Sequence, residues 1–374
     1  MRRICKYILV FTVALAARIS WVIYTGIHTG VDTSNFMASC EFWLHNPAGI
    51  VGIDLIAGLE YAGATIPMCW LIDGLGLGTL GFVAYQILIS ALGTVLFADA
   101  CRREFGSPWG IFGGLVLAIH WPTFKWVSWI LTDATFIAAL VAGIWVVVWV
   151  RTSSQVRIYH RGAVAVAAIV IAFTRPVGLL IAVIWLCWFA VYAQNWWDLE
   201  IRIPEVAGAI ATVWAYVSLS SRGEFSTQLL DVWQQGVIVL DSGLLRQSYE
   251  ATSADSVLGF LIAHPIHVLF MGLLKVAVFF LPVVPRFSVI HNLLNVLLLV
   301  PVMVGAFLGA VVLVRRYDRG MMMTWLVPAL AMLALIAATF VDWDWRYRSP
   351  FGPLFIGLTI AAVSSYVDVD RIRG

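Results

Sequence analysis

Asp32 is the residue of this chain best placed for chemistry. It follows the first apolar segment, Tyr7–Ile27, which is long enough to cross a bilayer, so its carboxylate lies where headgroups, water and polar molecules meet. A carboxylate at that depth can take the proton of an acceptor hydroxyl as a new bond forms. Because exposed acids at helix ends are common, Asp32 taken alone is better explained as a solvated loop acid, and its surroundings must decide.

Three arginines near predicted helix ends have the chemistry to bind a phosphate. Arg175 stands between two apolar runs, and Arg346 and Arg348 flank Tyr347 shortly before the last run. A cation at membrane depth is costly unless it meets an anion, and the guanidinium fork matches phosphate oxygens. The alternative for the Arg346–Arg348 segment is interfacial anchoring, with neutralisation by the two acids of the preceding Asp-Trp-Asp-Trp run.

Four further polar residues are candidates for binding a substrate. Asp133 opens a long apolar segment, where it can cap the helix, orient a substrate or hold a metal. Arg18 falls near the middle of the first span and predicts either a polar cavity or a structural pair with an acid or carbonyl. Lys275 interrupts another apolar run and either snorkels or contacts phosphate, and His291 opens the run that follows.

The elements that must position these residues are membrane helices. The chain has 374 residues, of which 61% are hydrophobic and only 12% charged, and its mean hydropathy is +0.92. A soluble core of this size cannot bury so much apolar surface, so the bilayer must be the solvent for most of it. The net charge of +2 and the absence of a basic stripe with interleaved aromatics give no indication of nucleic-acid binding.

Apolar runs recur along the whole chain without the period-two alternation of a β-barrel. Every backbone polar group in hydrocarbon must be satisfied within its own segment, so the runs predict an all-α polytopic bundle of about 10–12 spans, forming one transmembrane domain over residues 1–374. The runs lie near residues 8–27, 79–98, 108–121, 127–150, 163–173, 177–193, 205–220, 266–284, 290–314, 322–341 and 350–367.

The charges predict which side each loop faces. Arginines cluster at one set of span ends, which the positive-inside rule places in the cytoplasm, whereas loop 28–78 has five acids and no Lys or Arg. That loop and a second one, 221–257, are therefore expected outside, each with amphipathic helices lying in the interface. Eleven simple crossings would place Arg315 outside, so a re-entrant or interfacial helix is expected around 258–267.

Two local features leave alternatives open. Arg2-Arg3 and the following apolar stretch resemble a signal peptide, but the run continues past Ala16, which favours an uncleaved first span. Cys40 and Cys69 share the outer loop and form either a disulfide or two unpaired small residues.

Together these residues resemble the GT-C superfamily of polytopic glycosyltransferases, most closely its bacterial mannosyltransferase/aminoarabinose-transferase-like branch. Four patterns match in order over nearly the whole chain, and His264-Pro265, Lys275 and His291-Asn292 match more loosely. The four patterns are Arg18 followed by Asp32-x-x-x-Phe36-x-x-x-Cys40, Trp129 to Phe136 with Asp133, Thr174-Arg175-Pro176, and Arg346-Tyr347-Arg348-Ser349-Pro350. Thr33 stands where several branches have a second acid, Phe36 replaces the usual Tyr, and no large C-terminal extracytoplasmic domain follows.

The resemblance implies that a sugar is transferred, with inversion, from a polyprenyl-phosphate donor to a hydroxyl of a lipid, glycan or protein acceptor. It also implies a bacterial inner-membrane protein whose active site faces outside. Asp32 would be the general base. It also leaves room for a divalent metal, with Asp32 and Asp133 as its ligands. The donor phosphate and sugar would be bound by Arg175, Arg346, Tyr347, Arg348, Lys275, Asp133, Arg18 and His291. The competing interpretation is a lipid or solute transporter or flippase, although the sequence shows no inverted repeat.

Overall fold

The structure of the chain is a computed structural model that describes residues 2–30, 32–45, 60–192, 230–231, 233–239, 257–284, 287–316, 318–339 and 346–373. The described residues form helices and connecting turns, with no β-strand among them. One isolated parallel bridge joins His28 to Trp129. The prediction of an all-α fold is confirmed for the described residues.

The described part of the chain contains fifteen α-helices, two π-helical turns and one 3-10 turn. The π turns, Trp70–Gly74 and Met322–Leu326, continue α3 and join α13 to α14, and the 3-10 turn Lys125–Ser128 follows α6. The α-helices are α1 Arg2–Thr25, α2 Thr33–His45, α3 Ala62–Cys69, α4 Gly78–Phe105, α5 Ser107–Ile119, α6 Trp121–Phe124, α7 Asp133–Arg151, α8 Ile158–Ala172, α9 Pro176–Tyr192, α10 Val257–Ala263, α11 Pro265–Phe279, α12 Val289–Arg316, α13 Arg319–Met321, α14 Val327–Ala338 and α15 Phe351–Arg373.

Several of these helices have the length and composition of membrane spans. Five qualify among the described residues: Ile4–Thr25, Gly78–Phe105, Asp133–Arg151, Val289–Arg316 and Arg319–Ala338. Five shorter apolar helices, in α5, α8, α9, α11 and α15, accompany them. The chain is therefore an integral membrane protein with several apolar helices. The predicted run at 205–220 lies outside the described residues.

The helix ends fall into two groups at opposite ends of the bundle. At the basic end, Arg151 of α7 is paired with Glu104 of α4 and lies 3.9 Å from Asp318, just before α13. Tyr7 of α1 donates to Asp99 of α4 at the same end. The other end, called the acidic end here, contains the starts of α2, α7, α9 and α15. Arg102, Arg103 and Arg151, three of the arginines at the predicted cytoplasmic span ends, therefore lie at one end of the bundle.

Small residues let the helices pack closely, as is common in membrane bundles. Gly305 and Gly309 of α12 form a G-x-x-x-G face against α15, which is the most extensive helix pair. A Cβ atom at Gly309 would overlap the carbonyl of Leu358, and one at Gly305 would overlap Thr359. Thr359 Oγ1 donates to the Val302 carbonyl at 3.0 Å, so the close approach also carries an interhelical hydrogen bond.

The segment between α1 and α4 contains two helices, α2 and α3, joined by a disulfide between Cys40 and Cys69. This settles the alternative that the sequence left open for these two cysteines. Gly63 at the start of α3 donates to the Phe173 carbonyl at 2.7 Å, which fixes α3 against the turn between α8 and α9. The predicted interfacial segment Ile53–Leu59 lies outside the described residues.

Residues 257–279 form two helices rather than one continuous helix. Helices α10 and α11 meet at His264-Pro265, inside the stretch where an irregular crossing was expected. At about 1.5 Å per residue, the 15 residues of α11 reach about 22 Å, which is less than the roughly 30 Å of a hydrocarbon core. Between α9 and α10, Trp233 donates to the carbonyl of Ala338, in the last turn of α14.

Candidate functional site

Backbone pairing after α1 positions Asp32. Gly26 has φ of +78°, a left-handed conformation that favours glycine and ends the helix. The chain then runs beside residues 128–130: His28 N donates to the Ser128 carbonyl at 2.8 Å, and Ile130 N donates to the His28 carbonyl at 2.9 Å. Asp32 is thereby brought beside the start of α7.

Thr33 completes this tether, and reasoning from the sequence missed it. Its Oγ1 donates to the Ile130 carbonyl and accepts from Gly30 N, both at 2.8 Å. A threonine at the first position of a helix, three residues after a glycine, is the local signal for such a turn. Thr33 occupies the position where related sequences were expected to have a second acid, and here it holds the loop in place.

Asp133, Arg175 and Arg346 converge on Asp32. Arg346 Nη1 donates to Asp32 Oδ2, and its Nε donates to Asp133 Oδ2 at 2.9 Å. Arg175 Nη1 donates to the other oxygen of Asp133, Oδ1. One arginine thus bridges two carboxylates that are 101 residues apart in sequence, and the second arginine completes the pairing of the inner one. These four residues are called the ion cluster below.

Exposure separates the members of the ion cluster. The side chain of Asp32 is 42% exposed, whereas those of Arg346, Arg175 and Asp133 are 15%, 7% and 0% exposed. Burial lowers the pKa of Arg346, but the charges of Asp133 and Asp32 outweigh it and raise that pKa above its ordinary value. The cluster therefore has a buried interior and one carboxylate that reaches solvent.

The helix starts explain why the inner pair is buried. Asp133 is the first residue of α7, and its carboxylate contacts the two arginines; Thr132, which precedes the helix, makes no side-chain cap. The capping role considered for these two residues is therefore not what the structure shows. Pro176 begins α9, as its fixed φ favours, and leaves Arg175 in the turn facing α7.

Aromatic rings line the cluster. The guanidinium of Arg175 lies 5.6 Å from the ring centre of Tyr347 and 6.0 Å from that of Phe136. Tyr61, which the sequence reasoning did not select, packs on Phe36 at 5.2 Å. Burial raises the pKa of the Tyr61 hydroxyl, and the charge of Arg175 offsets part of that rise, so the ring lies close to the cluster.

Arg18 belongs to a different part of the bundle. It is buried where α1, α4 and α5 meet: it donates to Ser90 Oγ at 2.8 Å, to Thr94 Oγ1 at 3.0 Å, and to the Ala14 and Ala118 carbonyls at 2.9 and 3.2 Å. These contacts match the predicted alternative of a structural pairing with buried carbonyls. The structure does not bring Arg18 to the ion cluster.

Lys275, Arg348 and His291 also lie apart from the four. Lys275 Nζ donates to the Thr339 carbonyl at 2.6 Å. Arg348 donates to the Leu281 and Val278 carbonyls at 2.7 and 3.0 Å, at the end of α11. His291 stacks on Phe287, with ring centres 4.1 Å apart, and meets Trp121 edge to face at 4.9 Å. In this structure the three side chains join helices near the acidic end.

The described residues contain no group of three or more His, Cys, Asp or Glu side chains arranged to hold a metal ion. Asp32 and Asp133, the two candidate metal ligands, both accept from Arg346 instead. A metal bound between them would need Arg346 to move away.

Comparison with known proteins gives no further guidance. No protein-family model, no curated protein and no solved structure matches this chain. The likeness to the GT-C superfamily therefore stays a prediction from the sequence.

Proposed function

We propose that this protein is an inverting membrane glycosyltransferase. It moves a sugar from a polyprenyl-phosphate donor to a hydroxyl of a lipid, glycan or protein acceptor on the outer face of a bacterial inner membrane, with Asp32 as general base. The observation that carries the proposal is the ion cluster: the one solvent-reaching carboxylate is paired with an arginine that a buried Asp133–Arg175 pair holds in place.

The chemistry needs one group to accept a proton and another to hold a leaving phosphate. The acceptor oxygen bonds to the anomeric carbon while its proton passes to Asp32. The bond from that carbon to the phosphate oxygen breaks, and its electron pair stays on the phosphate. In-line attack inverts the anomeric carbon. Positive groups fixed beside the phosphate stabilise its developing charge without reorganising, which is a large contribution to catalysis.

Arg346 is the proposed link between the two groups. It contacts Asp32, and an incoming phosphate would compete with Asp32 for the same guanidinium. Donor binding would then release the carboxylate to act as a base. Arg175 lies on the inner side of Asp133 and supplies a second positive charge. Arg348, Lys275, His291 and Arg18 are assigned structural roles in this proposal, because their side chains contact other partners.

The test is sugar transfer by the purified protein. Polyprenyl-phosphate sugars would be presented with candidate acceptors, and Asp32→Asn would be compared with Asp73→Asn, an exposed acid of the same loop. We expect Asp32→Asn to lower turnover at least a hundredfold, in line with the usual contribution of a general base, while Asp73→Asn stays active. Transfer by Asp32→Asn at the unmodified rate would refute its role as base.

A binding measurement separates the base from the phosphate contact. Donor-induced thermal stabilisation reports affinity without chemistry. We expect Asp32→Asn to keep this stabilisation, because removing its charge leaves Arg346 available to the phosphate, and Arg346→Gln to lose it. Equal donor stabilisation in Arg346→Gln and the unmodified protein would remove Arg346 from the phosphate site.

A further inference from the structure

A cleft at the basic end, far from the ion cluster along the bundle, has the features of a second binding site. It lies between α1, α4 and α5 and measures about 280 Å³ including its mouth. The residues that line it are Lys6, Tyr7, Val10, Ala98, Arg102, Ser107, Gly110 and Ile111.

The charges around this cleft are unbalanced. Asp99 accepts from Arg102 at 2.7 Å, from Arg103 at 2.6 Å, and from the hydroxyl of Tyr7. It is one acid among three cations, because Lys6 is exposed and has no acidic partner in the described part of the chain. Arg102 uses Nε and Nη2 for Asp99, and its Nη1 has no hydrogen-bond partner among the described residues. Of the residues that line the cleft, Lys6 and Arg102 are cations and none is an acid.

The start of α5 also contributes positive potential to this cleft. Ser107 is its first residue, the helix has no side-chain cap, and Pro108 supplies no backbone N–H. Ser107 lines the cleft, so the positive end of the α5 dipole lies beside it and favours an anion there.

The surrounding surface is suited to acyl chains. Ile4 and Ile8 of α1 are 65% and 57% exposed, and Phe112 of α5 is 48% exposed. Both helices are apolar enough to lie against lipid. Basic clefts between membrane helices at the arginine-rich end are known as a type of phospholipid headgroup site. A free phosphate would satisfy the charges but would leave these apolar faces without a role.

We propose that this cleft binds the phosphodiester headgroup of an anionic phospholipid, with the acyl chains along α1 and α5. The phosphodiester contacts Lys6, Arg102 Nη1 and Ser107, while Asp99 keeps Arg102 oriented. This inference does not depend on the proposed function, since it concerns different residues at the opposite end of the bundle.

The test uses the delipidated full chain in detergent. Phosphatidylglycerol, phosphatidylcholine and inorganic phosphate are added separately, and thermal unfolding and native mass spectrometry are recorded. We expect phosphatidylglycerol to raise the unfolding midpoint and to remain bound in the mass spectrum, and the other two to do neither. Equal stabilisation by phosphatidylcholine or by inorganic phosphate would overturn the proposal.

Two variants and one control locate the effect. Ser107→Glu places a negative charge at the start of α5, which the helix dipole tolerates but which repels a phosphodiester. Phosphatidylglycerol should therefore no longer raise the unfolding midpoint of this variant, and its midpoint without lipid should equal that of the unmodified protein. Lys6→Gln should weaken phosphatidylglycerol binding at least threefold without touching any described ion pair. Arg316→Gln, an exposed cation at the same end outside the cleft, should leave binding unchanged. Unaltered lipid binding in both cleft variants would refute the site.

Discussion

Asp133→Asn tests whether the buried half of the ion cluster holds the acidic end together. The side chain of Asp133 is 0% exposed and accepts from both Arg175 and Arg346. Removing one partner of a buried ion pair typically costs about 3–5 kcal/mol, because the remaining charge is left without compensation. Asn retains one oxygen acceptor and Arg346 retains Asp32, so we expect a loss near the lower limit, about 3 kcal/mol.

Asp32→Asn is the matched comparison, since it removes an acid from the same arginine. Asp32 is 42% exposed, and water screens its pairing with Arg346. Exposed pairs of this kind contribute about 0–1 kcal/mol. The two isosteric changes should therefore differ by about 2 kcal/mol or more in the free energy of unfolding, although both carboxylates contact the same guanidinium.

The measurement is equilibrium unfolding in mixed micelles, with a double-mutant cycle between Asp133 and Arg175. Arg175→Met in the Asp133→Asn background removes the uncompensated cation, so the double variant should be more stable than the sum of the two single losses indicates. A loss below 1 kcal/mol for Asp133→Asn, equal to that for Asp32→Asn, would show that the buried pair does not stabilise this end and would refute the reasoning.

Two further predictions concern stability elsewhere in the chain. Replacing Cys40 and Cys69 by Ser opens a loop with a sequence separation of 29, which should cost about 3.5 kcal/mol through the entropy of the unfolded chain. Reductant should lower the unfolding midpoint of the unmodified protein but not that of the Ser variant. An unchanged midpoint of the unmodified protein in reductant would contradict the stabilising role of the disulfide. Gly309→Ala puts a methyl group into the Leu358 carbonyl and should cost about 3 kcal/mol by overpacking. The control is Gly162→Ala in α8, where the new methyl group meets no atom within 4 Å and should be neutral or stabilising. Both free energies of unfolding are measured in the same way, and equal effects would refute the close α12–α15 contact.

The helical bundle was predictable because hydrocarbon imposes a simple rule on sequence. A segment that crosses a bilayer must be apolar and must satisfy its own backbone, so the spans are visible as runs of residues without knowledge of their partners. The same holds for Pro176 at the start of α9, which is a local property of the backbone.

The pairing within the candidate site was only partly predictable. Asp32 and Asp133 were selected as acids at the ends of apolar segments, and Arg175 and Arg346 because a cation at membrane depth is costly without an anion. The same criterion selected Lys275, whose partner is a backbone carbonyl. A sequence shows the cost of burying a charge but does not show which atom compensates it.

The amino-acid sequence by itself therefore determined the class of this protein, its apolar helices, and the small set of charges that needed partners. Only the tertiary structure decided that Arg346 bridges Asp32 and Asp133, that Thr33 ties the start of α2 to Ile130, and that Arg18 joins three helices away from that cluster. The physical reason is the distance along the chain over which each property is determined. Hydropathy and helix starts depend on neighbours within a turn or two, whereas an ion pair depends on the side-by-side arrangement of helices far apart in the chain.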